Sequence, residues 1–151
     1  MSYDNLRLGR YSQPYRAYSI TTVTHQRLPF FTDLYCARRV IMEMRRLHDA
    51  GEVQSQAWVL MPDHLHWLIV LTETASLAET MRTFKGRSAR QVNQYLDRRG
   101  PVWQRAYYDH ALRQEEELKT VARYIVANPL RAGLVATIGD YPLWDAVWMW
   151  S

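Results

Sequence analysis

The chain has 151 residues, of which 48% are apolar, 13% aromatic and 23% charged, and a formal net charge of +4; this is the composition of a folded protein rather than a disordered one. No apolar run approaches the roughly 20 residues that span a bilayer, and Met1–Arg7 lack the apolar centre of a signal peptide, so a soluble cytoplasmic protein is expected. Cys36 is the only cysteine, which excludes an internal disulfide and a cysteine-based metal cluster.

Residues 17–25 are rich in β-branched and aromatic types and predict a first strand, ended by Pro29. Thr32 or Asp33 can cap a helix running to about Ala50, with Leu34, Val40, Ile41, Met44 and Leu47 as its apolar stripe and Gly51 closing it. Residues 53–61 and 64–71 predict two strands joined through Pro62-Asp63. Ser76 caps a second helix that reaches about Leu96, made basic by Arg82, Lys85, Arg87 and Arg90. After Gly100-Pro101, residues 102–112 predict a fourth strand. Glu115-Glu116-Glu117 suit the positive end of a third helix, which should run to about Asn128 because Pro129 disfavours helical geometry in the residue before it.

The order β-α-β-β-α-β plus a helix predicts an α+β, ferredoxin-like fold. One domain, 1–151, is expected, with a core of about 17–135. The aromatic tail, 136–151, shows no clear periodicity and reads as a clamp over the core through Tyr141, Trp144 and Trp148.

Charge is uneven along this order. Residues 1–46 carry eight Arg against three acidic residues, and residues 79–113 carry eight Lys or Arg against three, whereas residues 47–78 contain no Lys or Arg. Cations interleaved with tyrosines suit a phosphodiester backbone and stacked bases; solvated helix faces would give the same pattern.

The candidate chemistry centres on His64-Leu65-His66. Residues i and i+2 of a strand project to one face, so both imidazoles share a face, either as ligands for a metal ion or as a solvated pair. On the third helix Tyr124 and Asn128 stand at i and i+4 and share a helix face. A phenol and a carboxamide so placed suit a phosphoryl-transfer site, although amphipathic packing and a C-terminal cap explain them as well. Tyr107 and Tyr108 point to opposite faces of the fourth strand, so at most one can serve a site on one face, and neither lies one turn from a candidate ligand.

Three blocks in order carry a family resemblance. Met61-Pro62-Asp63-His64-Leu65-His66 resembles the His-hydrophobic-His motif of HUH single-strand nucleases; residues 102–113 resemble a second block; and residues 124–135, Tyr-Ile-Val-Ala-Asn-Pro-Leu-Arg-Ala-Gly-Leu-Val, resemble the helix with the single nucleophilic tyrosine. From about Tyr18 to Trp144 the chain is similar to REP-associated tyrosine transposases, a bacterial branch of the IS200-like transposases. The resemblance implies a ferredoxin-like domain whose added helix carries Tyr124, and one divalent cation, Mg²⁺ or Mn²⁺, on His64, His66 and Asn128. It also implies attack by Tyr124 on hairpin-bearing, REP-like single-stranded DNA, leaving a free 3′-OH and a 5′-phosphotyrosine. Some relatives carry Gln or Glu where Asn128 stands, a longer ligand.

No Lys or Arg flanks the histidine pair, so Arg82, Lys85, Arg87, Arg90, Arg105 and Arg113 are the expected phosphate contacts. His110 is a candidate proton shuttle or substrate contact, or a hydrogen-bonded strand histidine; Asp63 either supports a metal ligand or serves the turn. The alternatives to a strand transferase are a non-cleaving hairpin DNA or RNA binder derived from a transposase, and an unrelated metal-dependent phosphoesterase. Relatives include monomers and dimers that exchange the tyrosine helix, with Gly133 as hinge or simple turn, so monomer and homodimer both stay open.

Overall fold

The structure, a computed structural model, describes residues 12–113 and 115–147. Strand β1 (Ala17–Val23) is followed by two short 3₁₀ turns and helix α1 (Leu34–Asp49), then β2 (Val53–Met61), β3 (His64–Leu71), helix α2 (Leu77–Leu96) and β4 (Tyr108–Ala111). Helix α3 (Glu115–Val126), the short helix α4 (Asn128–Arg131) and strand β5 (Trp144–Ala146) complete it. The sheet order is β4-β1-β3-β2-β5 and each neighbouring pair is antiparallel. The first four strands and two helices form the expected ferredoxin-like β-α-β-β-α-β core.

The helix starts follow local chemistry. The Asp33 carboxylate accepts from the backbone N–H groups of Tyr35 and Cys36, and Ser76 with Glu79 forms a reciprocal capping box on α2. Such caps satisfy backbone donors that a first helical turn leaves without partners.

Each strand sorts its residues between two faces. On β3, Leu65, Trp67, Ile69 and Leu71 join the core beneath α1 and α2, with Phe84, Met44 and Leu47 from the helices. Leu68 points the other way, into a smaller cluster where Ala122, Ile125 and Val126 of α3 meet Ala57 and Val59 of β2. By alternation His64 and His66 share Leu68's face.

Three expectations are corrected. The fourth strand is confined to Tyr108–Ala111 rather than residues 102–112. Ahead of it, Trp103 is buried against Phe31 and Phe84, donates its indole N–H to Ser88 Oγ at 2.9 Å, and forms an isolated bridge with Thr24. The carbonyls of Gln104 and Arg105 accept from Lys85 Nζ instead of from a neighbouring strand. The predicted third helix ends at Val126, and a new one starts at Asn128, with Pro129 in its first turn, where the missing N–H costs no helical hydrogen bond. Gly133, at φ +73°, closes that turn as its N–H donates to the Leu130 carbonyl.

The third correction is the tail. Residues 144–146 add a fifth strand on β2, while Leu143 is buried and the Tyr141 hydroxyl donates to the Leu60 carbonyl at 2.6 Å. Trp148 lies outside the described residues.

Candidate active site

His64 and His66 stand side by side at the start of β3, with ring centroids 4.8 Å apart and planes at 86°. Each ring is held by a neighbour through the same nitrogen. His64 Nδ1 is 2.7 Å from Asp63 Oδ1, and His66 Nδ1 is 2.9 Å from Thr21 Oγ1, its direct cross-strand partner on β1. Engagement of both Nδ1 atoms leaves both Nε2 atoms to face a ligand. This is the arrangement by which a supporting hydrogen bond orients a metal-binding imidazole.

Charge around the pair is tuned in the same sense. Burial, then the charges of His64 and Arg131, push the His66 ring down to about 4, so it is neutral, as a ligand must be, at physiological pH. Burial acts to raise the Asp63 carboxyl, but hydrogen bonds and charge from His64 and Arg27 outweigh it and hold the group below the usual carboxylate range. Arg27 Nη1 reaches Asp63 Oδ2 at 3.3 Å.

Helix α3 packs on this face of the sheet, contacting β2, β3 and β5. Its buried side, Ala122, Ile125 and Val126, sets Tyr124 on the outer edge, where the residue is 63% exposed. The chain keeps a helical turn at Ala127 (φ −82°, ψ −2°), so Asn128 and Arg131 continue the Tyr124 edge at i+4 and i+7. The Arg131 guanidinium carbon lies 3.6 Å from the centroid of the Tyr124 ring. The guanidinium and the phenol are thus in contact, and the Arg131 charge helps to lower the pKa of His66.

Among the described residues no cluster of three His, Cys, Asp or Glu side chains could hold a metal ion. The expected donor set is the two imidazoles with the Asn128 carboxamide as a third, oxygen, donor; of these the structure brings the two imidazoles together. The preset Nε2 atoms and the neutral His66 fit a divalent cation.

Register places the remaining candidates. Across the sheet, Val59, His66, Thr21 and Tyr108 form one row, and Ala57, Leu68, Ser19 and His110 the next. Directly opposite residues share a face, so Tyr108 and His110 both lie on the histidine face, at its exposed β4 edge. Tyr107 is buried beneath Lys85 on the other side.

The six expected phosphate contacts separate. Arg82, Lys85, Arg87 and Arg90 belong to α2, which covers the sheet face opposite the histidines. Arg82, Lys85 and Arg105 line a groove of about 480 Å³ with Trp103 and Tyr107. Arg87 Nε donates to both oxygens of the buried Glu43, at 3.0 and 3.2 Å, and Arg90 is exposed on the helix surface. Arg113 lies on the histidine face of the sheet, lining a cleft with Arg16, Val70 and Leu118. Arg27 reaches the pair through Asp63, and the Arg131 charge acts on His66. Seven-residue spacing from Tyr124 was the available signal for Arg131, obscured by the break at Pro129; nothing in the sequence pointed to Arg27 or Thr21.

The fold and this site define a ferredoxin-like domain with an HUH histidine pair and a separate tyrosine helix. A sequence model of the family described as Transposase IS200 like matches residues 13–128, a span that holds His64, His66, Tyr124 and Asn128. The chain belongs to that family. It is 28% identical over 113 residues to a REP-associated tyrosine transposase of Escherichia coli K12, covering 74% of this chain and 63% of that one. A Haemophilus influenzae protein, provisionally described in the same words, is 28% identical over 99 residues, covering 59% of this chain and 56% of its own length. The chain thus spans less than two thirds of both relatives. A solved REP-associated tyrosine transposase bound to a REP hairpin shares the fold, with a TM-score of 0.73 at 22% identity, over 89% of this chain and 79% of that one. Among the described residues no helix is long and apolar enough to cross a membrane.

Proposed function

We propose that the protein cleaves and transfers hairpin-bearing, REP-like single-stranded DNA through a covalent 5′-phosphotyrosine at Tyr124. The observation that carries this reading is the histidine pair with both Nδ1 atoms engaged, set on the sheet face where α3 presents an exposed tyrosine. The REP hairpin held by the structurally similar transposase supports the substrate class. A cytoplasmic location is part of the same proposal, since that is where a bacterial DNA substrate lies.

His64, His66 and Asn128 would hold one divalent cation. When bound, it supplies Lewis-acid neutralisation of the phosphate and stabilisation of the leaving oxygen, and two imidazole donors favour Mn²⁺ over Mg²⁺ in vitro.

The chain's own groups do the rest. The Tyr124 oxygen bonds to phosphorus while the bond from phosphorus to the 3′ oxygen breaks. The phenolic proton is lost and the leaving oxygen gains one, giving a free 3′-OH and a 5′-phosphate ester on Tyr124. Attack by the 3′-OH of another strand forms the new diester and returns the phenol. Thr21 and Asp63 hold the two imidazoles against rotation. Arg113, on the histidine face, contacts phosphates flanking the cleaved one; Arg82, Arg90 and Arg105, on the α2 side, contact more distant parts of the hairpin, and Lys85 and Arg87, already bonded within the fold, contribute less.

The test uses a hairpin oligonucleotide from beside the protein's own gene, labelled separately at each end, with Mn²⁺ or EDTA. A metal-dependent protein–DNA band that carries the 3′-end label alone, and is absent in Tyr124→Phe, is the expected result. Hairpin binding without any such band would make the protein a non-cleaving binder. Turnover of small phosphoesters without an adduct would make it a hydrolase.

A further inference from the structure

Arg131 is exposed beside the tyrosine, and among the described residues no carboxylate forms an ion pair with it. Its contact is with the Tyr124 ring, the guanidinium carbon 3.6 Å from the centroid. At that separation the group is stacked rather than end-on, because a nitrogen pointing at the ring would sit about 1.3 Å closer, inside contact distance. A stacked guanidinium uses its π face on the ring and keeps its N–H edge, a rigid fork matched to phosphate oxygens. Arg27, the other cation near the pair, is bonded to Asp63 instead.

We infer that Arg131 is the phosphate clamp of the reaction: stacked on Tyr124, it donates from its free edge to a non-bridging oxygen of the phosphate that Tyr124 attacks. The inference rests on the cleavage reading above. One side chain then sets two geometries together, the rotation of the phenol ring about its axis and the position of the phosphorus beside it. Its charge also meets the negative charge that builds on the non-bridging oxygens as the phenol oxygen attacks. Neither role requires a basic residue next to the histidines in sequence. This explains how a motif without flanking Lys or Arg manages its phosphate.

Charge removal on the DNA separates this role from a structural one. Single-turnover adduct formation is measured with Mn²⁺ on the gene-flanking hairpin oligonucleotide, once with a normal scissile phosphate and once with a methylphosphonate there, which lacks one charged oxygen. Arg131→Ala should slow the normal substrate about 100-fold or more and recover most of the deficit on the methylphosphonate. Arg131→Lys should fall between it and the wild type on the normal substrate. Arg131→Gln, which keeps a planar group against the ring, should show the same recovery as Ala and serves if the alanine variant fails to fold. Equal losses on both substrates, or no loss, would overturn the clamp while leaving Tyr124 as nucleophile. A wild-type protein that forms no adduct with either substrate removes the cleavage reading, and the clamp with it.

Discussion

The two faces of the sheet are built to different standards. Beneath α1 and α2, Trp67, Phe84 and Trp103 interlock, with Trp67 and Trp103 centroids 5.3 and 5.8 Å from Phe84, and Leu60, Leu65 and Ile69 are fully buried around them. Beneath α3 the buried cluster is smaller and purely aliphatic, with four alanines (Ala17, Ala57, Ala122 and Ala146) among Val59, Met61, Leu68, Leu112, Ile125 and Val126. It stops short of the β4 edge, where Tyr108 and His110 are exposed. Large interlocked rings give one face stability. A smaller aliphatic cluster under a single covering helix leaves the β4 edge of the other face open. Even the charges divide: Glu43 is buried between Arg46 and Arg87 on the first face, while Arg131 on the second stacks on an aromatic ring and, among the described residues, forms no ion pair. Stability and chemistry should therefore respond to different substitutions.

The sharpest test of that division is Tyr124→Phe. Adduct formation should fall at least about 10³-fold, as loss of a nucleophile requires. Stability in urea should stay within about 0.5 kcal/mol, as for a surface change, because the residue is 63% exposed. The mirror experiment is Phe84→Ala. It should cost about 3–5 kcal/mol in urea denaturation through the cavity left between two indoles, and leave Mn²⁺ affinity of the folded fraction unchanged. A phenylalanine variant that unfolds, or an alanine variant that loses metal while stable, would break the comparison.

The sequence was most legible where the chain does one thing at a time. β2 and β3 match their predicted spans because Pro62-Asp63 marks the turn between two apolar runs, and α1 and α2 start just after the residues whose side chains cap them. Residues 102–107 misled because aromatic and β-branched types suit a strand and a core anchor equally, and only the fold reveals Trp103 over Phe84 and Lys85 on the carbonyls. β5 is too short, at three residues, for alternation to show. At the site, the histidine pair and Tyr124 with Asn128 were visible because strand and helix periods are local. Thr21 was not, since its partner His66 is 45 residues away and the pairing depends on strand register.

That cross-strand contact supplies a smaller test on the open face. Thr21→Val keeps the shape and removes the hydroxyl, freeing His66 Nδ1 to rotate. Mn²⁺ affinity by calorimetry should drop about 10–100-fold, the usual effect of losing a supporting hydrogen bond to a ligand. Unchanged affinity would mean packing alone holds the ring. EDTA should leave the wild type folded at moderate temperature, lowering its thermal midpoint by no more than the loss of a bound ligand requires, since neither apolar cluster includes the histidines.

The smallest effect belongs to the packed face and is silent at neutral pH. Burial first, with the Asp33 charge adding, pushes the Cys36 thiol up from 9.0 to about 11. Burial likewise pushes the Tyr141 phenol up from 10.0 to about 12. Both groups are neutral when protonated, so the folded state binds their protons more tightly than the unfolded state does. Their contribution is therefore complete below about pH 9 and is lost as pH rises through about 11 for Cys36, and between about 10 and 12 for Tyr141. At most about 2–3 kcal/mol rides on the cysteine, and less on the half-exposed tyrosine, where solvent screens the charge. Urea midpoints should match at pH 7 and 8.5 and fall by pH 10.5, and Cys36→Ala should flatten that fall. A slope that survives Cys36→Ala and Tyr141→Phe together would place the alkaline sensitivity elsewhere, and the packed face would lose its claim to be the part of the molecule that senses high pH.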